Sequence, residues 1–239
     1  MPERGPSIQS VIRRPRPEPE ALNVAVVYED ESLIAIDKPP GMVVHPTYKN
    51  WSGTLLNAVL WHVRGRSGIG PSIVTRLDKD TSGLVLVALR PEVHARMQGD
   101  AAAGRVRKEY LAIVPGTPTP ASGSIALPLA RSPEDRRRVV VTPTGQHSQT
   151  DYEVLSTVNG YSLVRCELVT GRTHQIRVHL AARGWPIAGD LVYGEPHAAL
   201  TRQALHAWRV MLPHPVTREP LELEAPVPRD IRALMTPSQ

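Results

Sequence analysis

The sequence predicts an α+β fold: a mixed, largely antiparallel β-sheet with flanking helices. Three observations lead there. Short apolar runs of β type outnumber the segments with helical spacing. The two kinds do not alternate strictly, which disfavours a doubly wound parallel sheet. Neighbouring runs are also joined by tight turns such as Asn159-Gly160, and only antiparallel strands can be joined that way.

Taken in order, residues 1–23 are rich in proline and charge and lack the apolar stretch of a signal peptide, so a flexible lead-in is expected. From Val24 the run VAVVYEDESLIAIDK reads as two strands around the acidic turn Glu29-Asp30-Glu31, and Pro39-Pro40-Gly41 breaks it. TLLNAVLWHV (54–63) has helical spacing, GLVLVAL (83–89) is a buried-strand run, and PEVHARMQGDAAA (91–103) places Pro at a helix start. EYLAIV, TDYEVLSTV and YSLVRCELV are further strands. THQIRVHLAAR (173–183) is helical and stops at Gly184, a natural residue just past a helix end. LHAWRVML and PLELEA are strands, and PRDIRALM closes the chain as a helix. The segment 115–148 is the most loop-like and basic part of the interior; its Arg136-Arg137-Arg138 run either grips phosphates or is a solvated charge run.

With 239 residues and 41% hydrophobic content the chain can bury a core in one or two domains. Net charge is +5, and with only four lysines the cationic side chains are 24 arginines. A guanidinium offers a planar fork of donors that matches phosphate and base edges, which leans toward nucleic acid. A GC-rich genome explains the same excess, together with 24 prolines and no Phe, so composition leaves both readings open. Arg13, Arg14 and Arg16 are either an RNA-touching tail or part of a solvated linker. One cysteine, Cys166, cannot form an internal disulfide, and no apolar stretch approaches a membrane span, so a cytoplasmic protein without membrane contact is expected.

Two constellations could carry chemistry. In TRLDKDTSGLVLVA (75–88), Asp78 lies between Arg76 and Lys79 at the mouth of a strand. Cationic neighbours keep a carboxylate ionised and ready to act as base or nucleophile, whereas Asp78 and Asp80 as turn caps are the plain alternative. In TGRTHQIRVHL (170–180), helical spacing puts Thr173, Arg177 and Leu180 on one face. His174 and His179 are five apart, not the i, i+4 pair that chelates zinc, so no metal is expected. Nucleotide-binding glycine loops and a serine-hydrolase elbow are lacking, and mid-strand Cys166 reads as a buried structural thiol.

IDKPPGMVVHP (36–46), RLDKDTSGLVLVA (76–88), Lys108-Glu109-Tyr110, TGRTHQIRVHL (170–180), GDLVYG (189–194) and RQALHAWRVMLPHP (202–215) together resemble the RluA-type pseudouridine synthases, in the family's order and over roughly Val24 to Pro226. The resemblance implies the pseudouridine synthase catalytic fold over 24–239 and isomerisation of a uridine in ribosomal or transfer RNA, without cofactor. It also implies Asp78 as the catalytic aspartate, Arg177 as its ion-pair partner, and Tyr110 stacked on the uracil as a relay for the C5 proton. Leu205 would be the apolar wall under the base, and Arg76 the arginine that enters the RNA stack as the target leaves it. Arg172 and His174 are left to orienting the loop or contacting phosphate.

Two departures stand out. Thr75 replaces the His that commonly precedes RLD, and 23 residues before Val24 are too few for the S4 RNA-binding domain of larger members. A short member recognising RNA with its catalytic domain, as a monomer, is therefore expected. Competing readings are an RNA-binding or chaperone protein on the same fold without turnover, and a glycosidase or nucleosidase using Asp78 and Asp80 as a carboxylate pair.

Overall fold

A computed structural model describes residues 17–47 and 50–236, so Arg13, Arg14 and Arg16 lie outside the described residues. The order of elements is β1 Ala25–Glu29, β2 Leu33–Lys38, α1 Leu55–His62, β3 Ser72–Ile73, β4 Ser82–Ala88, α2 Pro91–Ala102, β5 Arg107–Pro115, β6 Ser122–Ala126, β7 Leu129–Arg131, β8 Val139–Val141, β9 Gln149–Val158, β10 Tyr161–Leu168, α3 Gln175–Ala182, β11 Leu205–Pro213, β12 Pro220–Glu224 and α4 Arg229–Leu234. None of these helices is long and apolar enough to cross a membrane.

The main sheet runs β1-β2-β4-β11-β5-β10-β9-β6, with β12 on β11 and β3 on β4. Every pairing is antiparallel except β4 with β11, which are parallel and meet only at His206 opposite Ser82 and Ala207 opposite Gly83. This narrow parallel seam joins two antiparallel halves.

Local chemistry sets the elements. Asp30 closes the first hairpin because its Oδ1 accepts the N–H groups of Ser32 at 2.7 Å and Leu33 at 2.8 Å, an Asx-type turn. Thr54 and Asn57 form a capping box at the start of α1. Strands β2 and β4 are buried on both faces, and their period-2 alternation sorts side chains between the helices. Ile34, Ile36, Val85 and Val87 pack on Leu55 and Val59 of α1, while Leu33, Leu84 and Leu86 pack on Val93 and Met97 of α2. Each such side chain contributes roughly 1.5–3 kcal/mol by leaving water. In the other half, Ile176 and Leu180 of α3 cover Ala112, Val164, Leu205 and the fully buried Cys166.

Two expectations need correction. Segment 115–148 is not simply loop: it holds β6, which extends the main sheet, and the separate β7–β8 hairpin. These strands of three to five residues, flanked by proline, are too short to show a period. The helix predicted from Thr173 begins at Gln175 instead, because His174 takes the left-handed conformation at φ 55°, ψ 16°, so Thr173 does not share a helical face with Arg177.

At the seam, His206 is completely buried. Its Nε2 is 3.3 Å from the Ala225 carbonyl and its Nδ1 is 2.9 Å from Ser82 Oγ. A carbonyl only accepts, so the ring carries its proton on Nε2 and Nδ1 accepts from the Ser82 hydroxyl. Burial pushes its pKa down to about 4. The unfolded chain, with an ordinary histidine near pKa 6.5, takes up the proton first as pH falls. Stability present above pH 6.5 is therefore lost toward pH 4, by about 3 kcal/mol for this group. Urea denaturation at pH 7 and pH 4 is expected to show His206→Asn, weaker at pH 7, losing less over that range than the wild type; equal losses would contradict this.

Candidate active site

The loop Thr75–Thr81 is held from beneath, on its backbone. Lys38 ends β2 with no exposure to solvent, and its Nζ donates to the carbonyls of Pro39 at 2.7 Å, Met42 at 2.9 Å and Lys79 at 3.0 Å. Burial pushes its pKa down to about 8, against the pull of Asp80, Asp78 and Asp37. Arg202 reaches the Asp80 carbonyl at 3.3 Å while it grips Asp230 at 2.8 and 3.0 Å. The Thr81 N–H closes the turn on the Asp78 carbonyl at 3.2 Å. Where the loop enters β4, Gly83 has φ +109°, and a Cβ there would lie 2.2 Å from the Ala207 carbonyl oxygen. Only glycine lets β11 come this close.

With its backbone engaged below, the loop turns the Asp78 carboxylate to a cleft of about 990 Å³. Arg177, in the first turn of α3, donates Nη1 to Asp78 Oδ2 at 2.9 Å. The rest of that guanidinium is committed elsewhere: Nε and Nη2 form a two-pronged pair with Asp190 at 2.7 and 2.8 Å. Asp190 is fully buried, and its Oδ1 also accepts the N–H groups of Val192 at 3.0 Å and Tyr193 at 3.2 Å. Burial works against both charges, yet the pair outweighs it, holding Asp190 below the usual carboxylate range and raising Arg177 further. Tyr193 lies against the same guanidinium, its ring centroid 5.1 Å away.

The structure brings all five residues singled out in the sequence to this cleft: Arg76, Asp78, Tyr110, Arg177 and Leu205. Tyr110, on β5 opposite Ala207 of β11, has its phenol pKa pushed up by burial and by the Asp78 charge, so it stays protonated. Leu205, the first residue of β11, is 4% exposed and joins the core beneath. Arg76 is exposed at the rim.

Other features were not read from the sequence. Thr75 Oγ1 accepts the Leu86 N–H at 2.9 Å, so its hydroxyl is used inside the fold. His45, from another loop, puts an imidazole into the cleft, its pKa lowered by burial and by Arg76. Asp190 and Tyr193 sit within GDLVYG, a motif visible in the sequence, but nothing in its spacing pointed to Arg177. Asp78 is the one carboxylate among the described residues lining the cleft; Asp80 does not line it, which weighs against the two acting there as a carboxylate pair.

Replacing Asp190 by Asn leaves a buried guanidinium short of its main counter-charge. Asp190→Asn is expected to lower stability by about 3–5 kcal/mol in urea denaturation, whereas Asp135→Asn, at a surface pair with Arg137, is expected to leave it nearly unchanged. Equal small effects would contradict the central place given to the Asp190–Arg177 pair.

Residues 32–182 match the family model described as RNA pseudouridylate synthase. A ribosomal large subunit pseudouridine synthase D from Nitrosomonas europaea is 44% identical over 226 residues, covering 90% of this chain and 65% of its own. An uncharacterized RNA pseudouridine synthase, YlyB, from Bacillus subtilis is 41% identical over 232 residues, covering 92% of this chain and 76% of its own. Thus the chain spans less than two thirds of the length of the first of these relatives and about three quarters of the second. Among solved structures, human RNA pseudouridylate synthase domain containing 4 matches with a TM-score of 0.71 and 25% identity, over 87% of this chain and 90% of that one.

Proposed function

Because the chain belongs to the RNA pseudouridylate synthase family, we propose that it isomerises uridine to pseudouridine in structured RNA, with Asp78 as the catalytic carboxylate. The observation that carries this reading is that, among the described residues, the cleft is lined by one carboxylate, paired at 2.9 Å to a buried arginine, together with a tyrosine and a leucine. In the reaction the N1–C1′ bond opens, the uracil turns, C5 bonds to C1′, and the C5 proton is lost as N1 gains one. No electron is gained or lost overall. Every step that needs a carboxylate falls to Asp78.

The remaining residues divide the work. Arg177 keeps Asp78 charged and aimed, since a carboxylate withdrawn from water without a partner takes up a proton instead. Tyr110, protonated at neutral pH, packs against the uracil and passes the C5 proton on as a relay. Leu205 supplies the apolar wall under the base. C1′ and C5 are inaccessible in a stacked helix, so the target must flip out at a cost of a few kcal/mol. Arg76 at the rim fills the vacated stack, and Lys108 and Arg172 in the cleft offset that cost through phosphate contacts. The substrate in this reading is a uridine in a stem-loop of ribosomal or transfer RNA, met by a monomer in the cytoplasm; the printed name of one relative, a ribosomal large subunit pseudouridine synthase, supports the ribosomal choice.

Tritium release from RNA labelled at uridine C5 tests the assignment. Asp78→Asn is expected to abolish release while RNA binding, measured by filter retention, persists. Full activity in that variant would contradict it, and binding without release by the wild type would favour an RNA chaperone.

A further inference from the structure

The two oxygens of Asp78 are treated differently. Oδ2 accepts the Arg177 bond and has His174 Nε2 at 3.8 Å, whereas among the described residues no hydrogen bond reaches Oδ1. His174 stands immediately before α3, so it and Arg177, three positions on, flank the same oxygen. Its other ring nitrogen, Nδ1, is 2.8 Å from Tyr193 Oη. That same Oη accepts the Val139 N–H at 2.8 Å. A phenol has one proton to give. The arrangement that satisfies every group has the Tyr193 hydroxyl donating to Nδ1, which leaves the imidazole proton on Nε2, the nitrogen nearest Asp78. Burial lowers the His174 pKa, with Arg177 and Arg131 acting in the same direction against Asp78 and Asp190, so the neutral ring is the form present near neutrality.

We propose that His174 is a positioning residue for Asp78: its Nε2–H, set by Tyr193, faces Oδ2 and fixes the rotation of the carboxylate, so that Oδ1 is the oxygen presented to the substrate. At 3.8 Å the approach is electrostatic in the free protein, being too long for a hydrogen bond. It shortens to one when RNA displaces water from the cleft. The inference deepens the assignment of Asp78 as the catalytic carboxylate and rests on it.

The test compares His174→Asn, His174→Gln and Tyr193→Phe in the full chain, on uridine-containing RNA under single-turnover conditions, with RNA affinity measured separately. Asn accepts the left-handed backbone that His174 adopts, but its amide stops short of the Nε2 position; the longer Gln places an N–H near it. His174→Asn is expected to lower the rate at saturating RNA by about 10–100-fold with affinity unchanged. His174→Gln is expected to recover part of that loss. Tyr193→Phe keeps the imidazole but frees its tautomer, and is expected to show a smaller fall in rate. A wild-type rate in His174→Asn would overturn the proposal, as would a loss confined to affinity, the signature of a phosphate contact. If His174→Asn does not fold, an undiminished rate in Tyr193→Phe overturns it instead. Asp78→Asn, measured alongside, separates the two assignments: activity there removes the catalytic role itself, whereas an inactive Asp78→Asn beside a fully active His174→Asn removes only the role of His174.

Discussion

The guanidinium of Arg177 is the interaction on which the rest of the site depends. It is nearly inaccessible to water, and its donors are divided between Asp190, which holds it in place, and Asp78, which it presents to the cleft. A buried ion pair is poor value as a source of stability, because desolvating both charges cancels most of the attraction. Its worth here is geometric. Asp190 is locked by two backbone N–H groups, Arg177 is locked by Asp190, and the direction of the last free Nη1 donor is thereby set for Asp78. Each member has one place to be, so the carboxylate is oriented before any substrate arrives.

The fold supplies the setting through the one parallel seam among its described strands. Two antiparallel halves meet where β4 and β11 touch over two residue pairs, and the core under α2 continues across the seam from Leu84 and Leu86 to Val210 and Leu223. The Asp78 loop enters the seam from one side and Leu205 from the other, so the cleft forms at the boundary between halves. Gly83 permits the close approach and His206 ties it with neutral hydrogen bonds. The carbonyls of Lys79 and Asp80 are taken up by Lys38 and Arg202, which leaves the loop little freedom except at its side chains.

Much of this was legible in the sequence, for definite reasons. Period-2 runs such as GLVLVAL and hairpin signals such as Asn159-Gly160 are local, and they gave the long strands and the class of sheet. Asp78, Arg177, Tyr110, Leu205 and Arg76 were found through motif resemblance; spacing alone left Asp78 open to a plain turn-capping role. What was not legible depends on distant partners. The separation of 13 positions between Arg177 and Asp190 has no periodicity that foretells a two-pronged pair. Lys38 reads as an ordinary charged strand end until its three carbonyl partners are seen. The left-handed turn at His174 is hidden inside a string with good helical spacing.

The central claim is that Asp190 affects the chemistry only through Arg177, and Arg177 only through the placement of Asp78. A double-mutant cycle on the single-turnover rate at saturating RNA tests it most directly, using Asp190→Asn, Arg177→Lys and the two combined. Residues that act as one unit are strongly non-additive. The double variant should therefore be no slower than the slower single. If the two losses instead multiply, Asp190 and Arg177 act independently and the proposed chain to Asp78 is wrong.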